Sequence, residues 1–269
     1  MTEVIETIFH QCRKPVIGMV HFPPLPEAPL YDKSGGLDFI LDRVKHDLEA
    51  LQEGGIDAVM FCNENDRPYV FGADFSTVAV MSYVIGTLAK EIKVPFGVDV
   101  LWDPKAALAV AKASGGKFIR EIITGTYVSD MGIWNNNVGE TFRYRKAIDA
   151  EDIAIFFNIS AEFAYNLDRR PQEQIAKSVE FSSLADVILV SGPMTGQSPT
   201  SESIARVKDN VGIPVFTNTG LRKDTVKDIL SVADGAIVGT SLKRDKITWN
   251  EVDINQVKDL MKEVKRVRG

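Results

Sequence analysis

From residue 15 onward, short apolar runs alternate with segments whose apolar residues recur every three or four positions. The runs predict strands at 15–22 (PVIGMVHF), 56–63 (IDAVMFCN), 95–101 (PFGVDVL), 118–123 (FIREII), 153–160 (IAIFFNIS), 186–192 (DVILVSG), 214–220 (PVFTNTG) and 234–243 (DGAIVGTSLK). Between them lie helical patterns. Leu37, Ile40, Leu41, Val44, Leu48 and Leu51 share one face after the first strand, and Ile254, Val257, Leu260, Met261 and Val264 do so after the last. The helix after the third strand opens at Asp103-Pro104, an N-cap followed by proline at the first helical position. Near-continuous apolar strands separated by helices imply a parallel sheet covered by helices. Eight such units favour closure into a (β/α)8 TIM barrel, one domain over residues 1–269 with a short N-terminal extension at 1–14.

Loop lengths give the barrel a polarity. Connections entering strands are terse, as at 53–55, 92–94, 115–117 and 210–213, whereas 23–36, 64–75, 124–139 and 161–170 leave strands and are long. A barrel carries function on the face where its strands end, so strand-end residues are the candidates for chemistry. The loop TGTYVSDMGIWNNNVG at 124–139 is long enough to be a lid that packs through Trp134.

The chain has 269 residues, 45% hydrophobic and 25% charged, with a formal net charge of −6. Without a basic footprint, nucleic acid is excluded as a partner and an anionic ligand must be held by local groups. There is no run near the ~18 apolar residues of a membrane span and no apolar core of a signal peptide, which points to the cytoplasm. Cys12 and Cys62 lack the paired spacing of a disulfide framework or metal knuckle. Nothing in the sequence fixes the assembly state, and a homo-oligomer is compatible with it.

Two strand ends one helix apart carry small donors: Asn218, Thr219 and Gly220 after strand seven, Gly239, Thr240 and Ser241 after strand eight. Glycine lets backbone N–H groups approach an anion, and hydroxyls add donors without bulk. This is the register of a barrel phosphate site. Ser191, Gly192 and the turn to Gly196 leave strand six beside them. His21 ends strand one ahead of a proline-rich loop, as a general acid or base or as a loop hydrogen-bonder. Asn63 and Glu64 end strand two, Asp99 lies in strand three, Arg120 and Glu121 in strand four, and Asn158, Ser160 and Glu162 along the exit of strand five. Ionisable groups in apolar strands must be paired or wetted. His21, Glu64, Asp99 and Glu121 are therefore proton-transfer candidates, with a buried Arg120–Glu121 pair as the structural alternative. Asn63, Arg120, Asn158, Ser191 and Asn218 are candidate substrate contacts, and Gly192, Thr219, Gly220, Gly239, Thr240 and Ser241 the candidate phosphate cradle. With one histidine at a strand end, a divalent metal is disfavoured and no cofactor is expected. Lys243 follows strand eight, placed to meet a phosphate or a carboxylate, which disfavours a Schiff-base aldolase. His10 and His46 read as structural or solvent-facing.

The segments GMVHFPPLPEAPLY, EGGIDAVMFCNENDRPY, RYRK, VFTNTG and ADGAIVGTSLK resemble the BtpA/SgcQ family across nearly the whole chain. The resemblance implies a barrel of the ribulose-phosphate-binding type. It places His21, Asn63, Glu64, Asp66, Asn218, Gly220, Gly239, Thr240, Ser241 and Lys243 on family motif positions. The family takes its name from a role in photosystem I biogenesis, and other members resemble parts of carbohydrate-handling gene sets. Where the family pattern has Arg-Val-Asn in strand four and Lys-His at the end of strand five, this chain has Arg120-Glu121-Ile122 and Asn158-Ile159. Two functions are expected from these residues. One is an enzyme, an isomerase, epimerase or lyase, acting on a phosphorylated small molecule such as a sugar phosphate or phosphoribosyl-type compound. The other is a non-catalytic assembly or regulatory factor that binds a protein partner.

Overall fold

Successive strand residues face opposite sides of a sheet, and that alternation sorts this chain into a barrel interior and a helix-facing shell. The computed structural model describes residues 3–10, 12–192 and 197–269, the side chain of Ile5 excepted; the turn Pro193–Gly196 after strand six lies outside them. The strands are β1 (Val16–His21), β2 (Ala58–Cys62), β3 (Phe96–Asp99), β4 (Phe118–Glu121), β5 (Thr126–Ser129), β6 (Gly132–Asn135), β7 (Ala154–Asn158), β8 (Ala164–Asn166), β9 (Val187–Val190), β10 (Val215–Thr217) and β11 (Gly235–Val238). Eight of them close a parallel TIM barrel in the order β1-β11-β10-β9-β7-β4-β3-β2. The helices are α1 (Glu3–Phe9), α2 (Gly36–Gly54), α3 (Phe75–Thr87), α4 (Pro104–Ser114), α5 (Val138–Ala147), α6 (Gln172–Ser183), α7 (Ser201–Lys208), α8 (Val226–Val232) and α9 (Ile254–Arg268).

Val20, Val59, Phe61, Val98, Ile119, Ile155, Phe157 and Ile188 face the helices and form the main core with them. The alternate positions, among them Ile17, Met19, Met60, Phe118, Phe156, Leu189, Phe216 and Ile237, fill the interior. Room for the interior rings comes from glycine: a Cβ on Gly97 would lie 2.2 Å from the Phe118 ring. The N-terminal segment, expected as an extension, is part of this core. Helix α1 brings Phe9 to ring-centroid distances of 6.0 Å from Phe118, 6.5 Å from Phe156 and 6.2 Å from Phe216, and so closes the end of the barrel where strands begin.

The predicted start of α4 is as expected: the Asp103 carboxylate accepts hydrogen bonds from the N–H groups of Lys105 and Ala106, with Pro104 at the first position. The loop at 124–139 differs from its expectation. Strands β5 and β6 form a hairpin inside it, and β8, from the loop after β7, pairs with β5 to make a separate three-stranded antiparallel sheet. Cross-strand partners Tyr127 and Trp134 are buried, while Ile133 on the other face is exposed. The asparagine run ends the hairpin and starts α5, since the Asn137 side chain accepts from the Glu140 N–H and donates to its carboxylate. Among the described residues no helix is long and apolar enough to cross a membrane.

Candidate functional site

Parity and register decide which predicted residues meet. His21 pairs in register with Cys62, and Cys62 with Asp99, so the last interior positions of β1, β2 and β3 form one layer at the mouth. Arg120 is the interior residue at the end of β4, and its guanidinium pairs with Asp99 and, at 3.5 Å, with Glu162 from the loop after β7. The anticipated Arg120–Glu121 pair does not form, because adjacent strand residues point to opposite faces. Burial opposes the charge on Arg120, but Asp99 and Glu162 outweigh it and push the guanidinium's pKa up.

A cavity of about 230 Å³ opens beside this layer. Its lining joins His21, Glu64, Arg120 and Glu162 to Asn218, Thr219, Gly220, Gly239, Thr240 and Ser241, with Arg222 and Lys246 at the rim. Gly220 sits at φ +70, in the left-handed region, and a Cβ there would lie 2.1 Å from the Ser198 nitrogen. Any side chain at Gly220 would displace the loop after β9. Gly239 packs against the imidazole, a Cβ lying 3.3 Å from His21 Cε1 and 3.4 Å from Nε2. The cradle and the histidine thus share one wall.

Burial drives the His21 pKa well below its ordinary value, helped by the positive charges of Lys243 and Arg120 and opposed by a contact to the Thr248 carbonyl. Nδ1 lies 3.4 Å from that carbonyl oxygen. The neutral imidazole donating there leaves a lone pair on Nε2, on the side of Gly239. Glu64 shifts the other way. Burial first, and then the Glu162 carboxylate, raise its pKa to about 8 against the opposing pull of Arg120. The cavity therefore holds a neutral base and a protonated acid near neutrality.

Asp99 and Glu121 border a second, narrower space. This crevice of about 50 Å³ adjoins the cavity through Glu64, Arg120 and Glu162 and runs under the β5–β6 hairpin. Burial drives the Glu121 pKa well above the carboxylate range, reinforced by Asp99, while Arg120 opposes it. Asn158 belongs here as well. Its Oδ1 accepts from Ser191 Oγ at 3.0 Å and from the Ser160 N–H, and Asn218 Nδ2 donates to the same Ser191 hydroxyl at 2.8 Å, so a buried chain of hydrogen bonds links the two spaces.

Other sequence candidates are placed outside both. Asn63 Oδ1 accepts from the Leu101 N–H at 2.8 Å and its Nδ2 donates to Asp66, which in turn accepts from the Leu25 N–H, so it ties three strand-exit loops together. Gly192 donates its N–H to Thr219 Oγ1, and a Cβ would lie 2.0 Å from the Gln197 oxygen; it supports the cradle from behind. Lys243 meets a carboxylate rather than a ligand. It is fully buried 2.6 Å from Asp47 of α2, whose other oxygen accepts from the Val252 N–H. His10 and His46 are exposed. Residues that sequence reasoning left out of the candidate set include Trp102, Tyr69 and Phe163 at the crevice and Arg222 and Lys246 at the cavity, while the sequence marks Glu162 only as a polar residue at the exit of strand five. Trp102 and Phe163 lack a sequence signal, since both depend on loop backbone at φ 69 and φ 57. Among the described residues no group of three histidine, cysteine or acidic side chains is arranged to hold a metal.

Comparison with known proteins places this architecture. The sgc region protein SgcQ of Escherichia coli is 42% identical over 269 residues, covering 100% of this chain and 98% of that protein. The photosystem I biogenesis protein BtpA of Synechocystis is 32% identical over 238 residues, covering 87% and 82%. Among solved structures, phosphoribosyl anthranilate isomerase from Thermus thermophilus matches with a TM-score of 0.59 at 9% identity, over 94% of this chain and 100% of that one. Thiamine phosphate pyrophosphorylase from Pyrococcus furiosus matches with a TM-score of 0.58 at 17% identity, over 95% and 97%. At such identities the likeness shows the TIM barrel alone. The BtpA family model matches residues 12–266, and the chain belongs to the BtpA family.

Proposed function

We propose that the protein is an enzyme acting on a phosphorylated small molecule, a sugar phosphate or phosphoribosyl-type compound, by acid/base chemistry at the mouth of the barrel. The observation that carries this reading is that one cavity brings Gly220, Gly239, Thr240 and Ser241 together with His21, Glu64 and Arg120. The N–H groups where β11 turns into the 3-10 segment Thr240–Leu242 start a helical turn and have no acceptor earlier in it, which suits them to phosphate oxygens. Arg222 and Lys246 add positive charge at the rim, Arg222 sharing its own with Asp224. That the structural neighbours include enzymes named for phosphorylated compounds is consistent with this reading and adds no residue to it.

In an isomerisation of this kind His21 Nε2 takes the proton next to a substrate carbonyl while protonated Glu64 gives one to the carbonyl oxygen, producing a neutral enediol. Arg120, held by Asp99 and Glu162, stabilises the negative charge that develops on that oxygen. Collapse in the other direction returns both protons. A lyase-type cleavage uses the same pair with a carbon or nitrogen leaving group.

The test is a melting-temperature screen with phosphorylated sugars, repeated on Gly239→Asp, which puts a carboxylate into the cradle. A phosphosugar should stabilise the native chain, and the shift should vanish in the variant. With a turnover assay on that compound, Glu64→Gln should lower kcat by about 10²–10⁴-fold. A panel without any stabilising member would sink the reading and favour a non-catalytic assembly or regulatory role.

A further inference from the structure

The crevice under the hairpin is walled by unusual backbone and by side chains whose polar atoms have nowhere to bond. Trp102 and Phe163 both line it, and both hold positive φ, a conformation that bulky aromatic residues rarely adopt. Two independent loops, after β3 and after β7, thus carry local strain at the points where they present a ring to the same space. Trp134 of the hairpin packs on Trp102 at a centroid distance of 4.7 Å and completes that side. Four polar atoms of lining residues lack a hydrogen-bond partner among the described residues: Trp102 Nε1, Arg120 Nε, Glu121 Oε1 and Asn158 Nδ2. Trp102, Glu121 and Asn158 are each at least nine-tenths buried. The Asn158 amide is oriented by its neighbours, since the Ser160 N–H can only donate to Oδ1, leaving the NH2 group for the crevice. Buried polar groups without partners are rare in folded proteins, and several around one space mark a place made for a ligand.

The geometry assigns this crevice to the non-phosphate end of the substrate and specifies a short, neutral, hydroxyl-bearing carbon arm. Size sets the first limit. A space of about 50 Å³ accommodates only a handful of water-sized groups, room for a few carbons with their hydroxyls and not for a nucleobase. Charge sets the second. The single guanidinium in the lining is already engaged by the carboxylates of Asp99 and Glu162, so an incoming carboxylate would find no free positive charge and would meet those two carboxylates instead. Hydroxyls suit the site, because each can accept from Trp102, Asn158 or Arg120 and donate to Glu121, while the C–H face of the arm lies on the aromatic wall. The assignment rests on the phosphate reading only for the other end of the molecule. Asn158 and Trp102 become specificity-determining residues.

The tryptophans make it testable. Of the three in the chain, Trp102 and Trp134 border the crevice, and Trp249 stacks under Arg67 elsewhere. A Trp249→Phe chain is titrated with inorganic phosphate, glycerol phosphate, a hexitol phosphate, phosphoglycerate and unphosphorylated hexitol, reading tryptophan fluorescence and calorimetric affinity. The hexitol phosphate should change the fluorescence and bind at least ~10-fold more tightly than inorganic phosphate, with phosphoglycerate weaker. Asn158→Ala and Trp102→Phe should each cut the hexitol phosphate advantage several-fold, by ~3–10-fold for a lost hydrogen bond, and leave inorganic phosphate affinity unchanged. Equal affinity for hexitol phosphate and inorganic phosphate, an advantage that survives both variants, or a preference for phosphoglycerate overturns the assignment. If no phosphate compound binds while hexitol alone changes the fluorescence, the phosphate reading fails and the crevice stands. Silence from every compound overturns both.

Discussion

The two ends of the barrel interior are built from opposite materials. Where strands begin, Phe9, Phe118, Phe156 and Phe216 pack ring on ring, Phe118 and Phe156 stacked at 4.7 Å, and helix α1 seals them from water. Where strands end, the same interior positions carry His21, Cys62, Asp99, Arg120 and Asn158. The interior where strands begin is filled by packed rings, whereas the mouth leaves polar atoms unpaired, shifts the pKa values of its acids and base, and holds aromatic residues at positive φ. A chain keeps such costs only where the rest of the fold holds them in place. The apolar filling of the barrel interior thus lies toward one end and its candidate site at the other.

That division can be broken most directly from the apolar end. Phe156→Ala removes the ring that stacks on Phe118 and meets Phe9 and Phe216, and the fold leaves little freedom to refill the space. It should cost about 3–5 kcal/mol, read as a lower urea midpoint at unchanged slope. Ligand affinity of the folded fraction should stay within about twofold, since no mouth residue moves. A comparable loss of affinity would show that the two ends are mechanically coupled.

The mouth should show its cost in pH dependence. The ordinary Glu64 pKa of 4.5 applies to the unfolded chain, and burial with the Glu162 carboxylate raises it to about 8 in the fold. At this group the folded state therefore binds more protons in between, so the stability that Glu64 contributes falls as pH rises from about 4.5 to about 8 and levels off above. Glu64→Gln removes that titration. The variant should match the native chain at the acidic end of the window and exceed it above pH 8 by on the order of a few kcal/mol in urea unfolding. Parallel pH profiles would mean that folding does not raise the Glu64 pKa, and the acid role assigned to it would go with them.

How far the sequence could be read follows the same line. The barrel was legible because short continuous apolar runs alternate with segments of about 3.6-residue period over the whole chain. Helix α1 was not, because Val4, Ile5, Ile8 and Phe9 recur at a spacing of four over only seven residues, Glu3–Phe9, shorter than the stretch in which a helical period stands out. The β5–β6 hairpin was missed for a related reason: its strands have four residues each and only Tyr127 and Trp134 are buried. At the site, position at a strand end pointed to His21, Glu64, Gly220 and Gly239, all of which line one cavity. Partnership was out of reach. That Arg120 pairs with Asp99 and Glu162, and Lys243 with Asp47, depends on closure of the barrel and on contacts 21, 42 and 196 residues apart.

Asn63 is where position and partnership disagree, and it gives the smallest and sharpest test. It ends β2 as a substrate contact would, yet its amide is spent on the backbone of Leu101 and the carboxylate of Asp66, and it lines neither the cavity nor the crevice. Asn63→Ala leaves the Leu101 N–H without its acceptor and removes the donor to Asp66 Oδ2, loosening the loops after β1, β2 and β3 together. The cost should be about 1–3 kcal/mol of stability, the penalty for an unsatisfied buried donor. Phosphate affinity at a temperature where the variant is folded should fall by no more than about twofold, because the cradle belongs to β10 and β11 and neither hydrogen bond of the Asn63 amide reaches it. Binding and unfolding measured on one preparation separate the two roles: a stability loss with affinity retained makes Asn63 a loop anchor, and the reverse makes it a ligand contact that this geometry fails to explain.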